Sequence, residues 1–104
     1  MQQINLISSN QLPQIEQWYD MKKAAKLINA GMGRTKLFRY LRTQGFLMDD
    51  NEPYQVFIDE GLFRLVEKDI RGRQGQLLFR SMVTLISDKG IRFIEKYIAD
   101  NGIN

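Results

Sequence analysis

The chain is 104 residues long, with 15 Lys and Arg against 12 Asp and Glu, a net charge of +3, and neither cysteine nor histidine. That length suits one domain, and the inventory excludes disulfide frameworks, thiolate nucleophiles, Ser-His and Cys-His pairs and the common zinc and iron-sulfur sites. Carboxylate, lysine, tyrosine or magnesium-type catalysis is what remains open, so the expectation is a binding protein and not an enzyme, with no cofactor and no metal.

With 43% hydrophobic and 26% charged residues, the composition is that of an ordinary globular domain. No apolar run approaches the ~20 residues that span a bilayer. Met1 to Gln17 is no signal peptide, since it lacks a basic n-region and its apolar residues Ile4, Leu6 and Ile7 are interrupted by polar ones. A cytoplasmic protein without a membrane partner is expected.

Residues 1–17 read as a polar N-terminal arm, containing Ser8-Ser9-Asn10 and Pro13, and order is expected to begin near Trp18-Tyr19. Asp20 is suited to cap a helix in which Met21, Ala24, Leu27 and Ile28 follow a helical period and Lys22, Lys23 and Lys26 lie opposite. Asn29-Ala30-Gly31 stops it, with Gly31 in the left-handed position. Gly33 opens a second helix, roughly Arg34 to Gln44, terminated by Gly45. Leu37, Phe38 and Leu41 form its apolar side, Thr35, Lys36, Arg39, Arg42 and Thr43 the opposite one, with Tyr40 at the edge.

Phe46-Leu47-Met48 is short enough for a strand. A turn follows at Asp49-Asp50-Asn51-Glu52-Pro53, then an extended piece over Tyr54 to Ile58 and another turn at Asp59-Glu60-Gly61. Leu62 to Ile70 and Gln76 to Ile86 are rich in Leu, Ile, Val and Phe and flank Arg71-Gly72-Arg73-Gln74-Gly75, which makes a β-hairpin with a basic tip. Ser87 can cap a last helix running to about Ala99. Ile91, Ile94 and Ile98 lie on one of its stripes and Phe93 and Tyr97 on another, the latter free to pack on the arm or on a second copy. Residues 18–100 form the expected domain and 101–104 a tail. The order describes an α+β, winged helix-turn-helix-like fold: helix-turn-helix, β-hairpin wing, C-terminal helix.

The small net charge conceals a division along the chain. From Met21 to Leu47 the charged residues are all basic: Lys22, Lys23, Lys26, Arg34, Lys36, Arg39 and Arg42. From Met48 to Gly61 they are all acidic: Asp49, Asp50, Glu52, Asp59 and Glu60. A recognition helix needs an apolar stripe to fix it and an opposite face of donors, and Arg39 and Arg42, three apart, suit bidentate contact with guanine. Thr35, Lys36 and Thr43 share that face, while Arg34, Lys22, Lys23 and Lys26 suit phosphates. Arg71, Arg73 and Gln74 suit a backbone contact from the wing. Double-stranded DNA is therefore the expected partner, with the acidic loops facing away from the phosphates.

The competing reading of each feature is plain. A cationic helix face is often only solvated, and hairpin tips are often charged to protect an edge. Gly31 to Lys36 lacks the spacing of a phosphate loop and follows a helix where a strand is required. The acidic cluster could hold Mg²⁺ for phosphodiester chemistry, but its setting among Gly, Pro and Asn is that of turn chemistry. A protein-interaction module that occupies a repressor or host factor without touching DNA is the alternative to DNA binding.

These residues also carry a resemblance. Tyr19 to about Ile98 resembles the KilA C-terminal (KilAC) domain found at the end of phage antirepressor proteins. The matching pieces are Ala24-Ala25-Lys26-Leu27, Gly33-Arg34-Thr35-Lys36-Leu37-Phe38, Leu41-Arg42 and Gly45-Phe46-Leu47. They continue with Asn51-Glu52-Pro53-Tyr54-Gln55, Ile58-Asp59, Gly61-Leu62-Phe63, Thr84 and Lys89-Gly90. The resemblance implies a phage or prophage regulator with DNA binding, acting in control of lytic gene expression, and no catalytic residues. Such domains usually follow a separate antirepressor domain, where here only the polar arm precedes the match. A repressor or other regulatory protein, and a homodimer, are further partners left open.

Overall fold

The computed structural model describes residues 17–103. Its elements in order are β1 (Trp18–Tyr19), α1 (Met21–Ile28), α2 (Arg34–Thr43), α3 (Gln55–Asp59), β2 (Phe63–Arg71), β3 (Leu77–Ser87) and α4 (Asp88–Asn101). Four helices and a three-stranded antiparallel sheet of order β1-β3-β2 make an α+β fold. Apart from Gln17, the expected arm lies outside the described residues.

The helix pair is built from its caps. Asp20 Oδ1 accepts from the Lys23 amide at 2.8 Å and starts α1. Asn29, at φ 53°, ends it, so the left-handed cap falls two residues earlier than the Gly31 expected there; Gly31 follows at φ 76°. Two left-handed residues in so short a span turn the chain sharply into Gly33, the N-cap of α2. Leu37, Leu41 and Tyr40 are buried on α2. Tyr40, expected at the edge, belongs inside because its hydroxyl donates to the Gly102 carbonyl at 2.8 Å beneath the C-terminal end of the chain.

Two expectations for the middle of the chain are corrected. Phe46 to Met48 is no strand: Leu47 makes a single bridge with Pro53. The turn closes too soon for more, with the Met48 amide donating to the Glu52 carbonyl at 2.8 Å and Asn51 at φ 69°. Tyr54 to Ile58 is not extended, since α3 begins at Gln55. Phe57 and Ile58 donate back to the Tyr54 carbonyl, and Gln55 Nε2 bonds Asp59 Oδ1 at 2.8 Å. Three consecutive apolar residues, Val56-Phe57-Ile58, cannot alternate across a strand. A single helical turn sets Phe57 edge-on to Phe46, ring centroids 5.1 Å apart.

The hairpin forms as expected, in register from Phe63↔Ile86 to Ile70↔Phe79, with an irregularity before Arg71↔Leu77. β1 adds Trp18↔Ser87 and Tyr19↔Ile86 on the other side of β3. The core lies where the base of this sheet meets the helices: Met21, Ala24, Leu37, Leu41, Leu47, Phe63, Ile86 and Ile94 are essentially inaccessible. Ser87 caps α4 by accepting from the Gly90 amide at 2.9 Å and donating to the Gly61 carbonyl at 2.6 Å. Phe93 and Tyr97 both lie edge-on to Phe46, at 5.5 and 5.0 Å, and Tyr97 also donates to Gln44 Oε1 at 2.8 Å.

Candidate nucleic-acid interface

The N-terminal end of α2 is the most cationic point that the helix pair constructs. Gly33 offers no side chain to cap it, and its first turn holds Arg34 and Lys36 with no acidic residue. The positive end of a helix favours anions, so two cations there cost a few tenths of a kcal/mol each in the absence of a ligand. From α1, Lys22 and Lys26 join Arg34 in lining a shallow groove of about 320 Å³ floored by Gly31, Met32 and Gly33. Lys23 is exposed on the same helix, and Arg34 lies over the Phe38 ring at 5.6 Å. Free main-chain amides, the helix dipole and converging ammonium groups together make a site suited to phosphate.

The exposed side of α2 divides in two. Thr35, Lys36, Arg39 and Thr43 are exposed. Lys36, Arg39 and Thr43 line a second, apolar-floored groove of about 170 Å³ with Met32, Tyr40, Gln44 and Ile103. Burial and the neighbouring Tyr97 push the Tyr40 hydroxyl above its ordinary pKa, so it stays a neutral donor to Gly102. Arg42 is half-buried and directs Nη1 to Asn51 Oδ1 in the turn after α2. The structure therefore does not set Arg39 and Arg42 side by side as free donors. Asn51 is in turn fixed to the sheet, since its carbonyl accepts from the buried Thr84 hydroxyl at 2.7 Å.

The tip of the hairpin stands about 25 Å from the core, taking eight steps of about 3.3 Å from Phe63 to Arg71. Arg71 is occupied with bracing it, donating to the Gly75 carbonyl at 3.0 Å and pairing with Asp69 at 3.1 Å. Arg80 meets the same carboxylate at 3.2 Å. Arg73 and Gln74 are exposed at the end. Among the described residues Lys22, Lys23, Lys26, Lys36, Arg39 and Arg73 enter no ion pair.

The acidic residues are not segregated as expected. Asp50 and Glu52 line a third groove, about 440 Å³, together with Lys22, Arg34, Lys68 and the Ser81 to Thr84 stretch of β3. The turn brings them there by folding back onto Thr84, a contact between residues 33 apart that no local pattern announces. Lys68 is a cation of this groove that was not among the residues expected at the interface. Among the described residues no three carboxylates gather to hold a metal ion, and Asp50 and Asp59 bond within their own turns.

The comparisons with known proteins fall on this same stretch. The family model of the phage antirepressor protein KilAC domain matches residues 8–101, beginning inside the polar arm. The chain is similar to the SPbeta prophage-derived putative antirepressor protein YoqD of Bacillus subtilis, 31% identical over 75 residues. That alignment covers 69% of this chain and 28% of the relative, so the chain spans little more than a quarter of that protein's length. No solved structure gives a significant match. Among the described residues no helix is long and apolar enough to cross a membrane.

Proposed function

This chain belongs to the family of phage antirepressor KilAC domains, and we propose that it acts as a DNA-binding regulatory domain of winged helix-turn-helix type. In this reading α2 enters the major groove, with Thr35, Lys36, Arg39 and Thr43 toward the bases. Arg34, Lys22, Lys23 and Lys26 meet one phosphate run, and Arg73 with Gln74 reach the next backbone from the wing. Arg42 and Arg71 hold the elements that present these groups. The observation that carries the reading is the first turn of α2: uncapped, free of acid and ringed by Arg34, Lys36, Lys22 and Lys26. The setting is the bacterial cytoplasm, and the activity is regulation of phage genes without catalysis.

The experiment is a fluorescence-anisotropy titration of duplex DNA over a salt series. Five phosphate contacts, from Lys22, Lys23, Lys26, Arg34 and Arg73, give a log–log slope near −4.5 and a loss of about 500-fold between 50 and 200 mM salt. Each alanine substitution among them reduces the slope by about 1. Absence of binding to any duplex at 50 mM salt refutes the reading.

A second reading has one specific observation behind it. Around α3, Tyr54 and Val56 are 43% and 54% exposed beside exposed Asp59 and Glu60. An apolar patch rimmed with acid suits a basic protein surface, such as that of a repressor. In a cell-based derepression assay, Val56→Lys with Asp59→Lys abolishes activity under this reading and leaves it intact under the first.

A further inference from the structure

Among the described residues the hairpin leaves one side of its most apolar strand without a neighbour for most of its length. β2 pairs along β3 from Ile86 out to Leu77, whereas β1 occupies the other side only at Ile86 and Ser87. From Leu77 to Leu85 no described strand covers that second edge. Open edges invite further strands, and proteins guard them with lysine, proline, shortness or bulges. This one carries neither lysine nor proline, and its irregularity lies at the tip, between Ile70 and Arg71.

Most side chains along the edge are apolar. Leu77, Leu78, Phe79 and Met82 are between 43% and 58% exposed. At roughly 200 Å² for a large side chain, these exposures amount to about 400 Å². That is about half of the ~800 Å² each partner contributes to a stable interface. Half-buried Val83 and Leu85 and the edge main chain add to it.

Charge and symmetry select the occupant. The single charged residue of β3, Arg80, is already paired with Asp69 of its own hairpin, so a charged foreign strand finds no complement along this edge. A second β3 lies against it without like charges opposed when the two-fold passes through Phe79, setting Leu77 opposite Ser81 and Leu78 opposite Arg80. An isologous contact satisfies the same edge in both copies, where a foreign strand would leave its own outer edge open.

We infer that two copies of this chain pair antiparallel along β3 about a two-fold at Phe79, joining their hairpins into one four-stranded sheet. Sedimentation equilibrium of the whole chain without DNA, from about 1 to about 200 μM, then shows a dimer, and Phe79→Lys weakens it at least about 100-fold. Because that change bears on the hairpin itself, a covalent readout accompanies it. The chain has no cysteine, so Phe79→Cys gives a disulfide-linked dimer on oxidation while Lys96→Cys, on α4, stays monomeric. A monomer throughout the range, a dimer indifferent to Phe79→Lys, or equal cross-linking at both positions overturns the inference. None of these readouts depends on DNA binding.

Discussion

Gly90, in the first turn of α4, is where the helix touches the sheet through bare backbone, and replacing it with alanine tests whether that approach is needed. A methyl group there would lie 2.3 Å from the Leu62 carbonyl oxygen and 2.6 Å from Ile86 Cγ1. The Ile86 side chain can turn aside, but the Leu62 oxygen cannot, since it accepts from the Ser87 amide at 3.1 Å. Relief requires α4 to withdraw by about 1 Å, which pulls Gly90 from its 2.9 Å bond to Ser87 Oγ. Overpacking of this kind costs about 1–3 kcal/mol and the lost cap about 1 kcal/mol. Alanine's better helix propensity returns at most about 1 kcal/mol. Gly90→Ala is therefore destabilising by about 1–3 kcal/mol, a fall in melting temperature of roughly 5–20 °C for a domain of this size. Urea unfolding followed by Trp18 fluorescence measures it. A variant as stable as the parent, or more so, refutes the reasoning, because propensity alone predicts a gain.

Three further outcomes follow from the same geometry. Arg42→Ala lowers stability by about 1–2 kcal/mol through the loss of its bond to Asn51 and leaves sequence preference in DNA binding unchanged, while Arg39→Ala leaves stability unchanged and relaxes that preference; urea unfolding and anisotropy on both variants separate the roles. Thr84→Val removes the buried bond to the Asn51 carbonyl and costs about 1–3 kcal/mol, read as a lower urea midpoint. Tyr19, which donates to Asp88 Oδ1 at 2.8 Å, and Tyr40 both have hydroxyls raised above pH 10 in the fold, the first chiefly by its bond to Asp88 and the second by burial. A raised folded pKa means that their stabilisation is complete below pH 10 and lost as pH climbs through the folded values. Urea midpoints at pH 9 and above therefore fall less steeply in Tyr19→Phe with Tyr40→Phe than in the parent; identical slopes contradict the assignment.

Local chemistry made much of the fold legible. Asp20 and Ser87 cap helices where their side chains reach the next free amides, and the glycines around α2 mark its limits. The hairpin declares itself through two apolar runs about a Gly-rich tip, because such signals act over a few residues. α3 was not legible in the same way, since a five-residue helix depends on where Phe57 must go to meet Phe46. The family resemblance was equally readable, because it rests on residues in order along the chain.

What the sequence by itself determined is the inventory and its order: no thiol, no imidazole, a cationic helix pair, an acidic turn and a hairpin with arginines at its tip. Which of those cations are free was decided by tertiary structure alone. Arg42 is taken by Asn51, while Arg34 and Lys22 share a groove with Asp50 and Glu52. The physical reason is distance along the chain. A guanidinium's partner is set by whichever carbonyl, amide or carboxylate the packed core brings within about 3 Å, and helical or strand periodicity carries no record of groups that meet only when the chain folds back on itself.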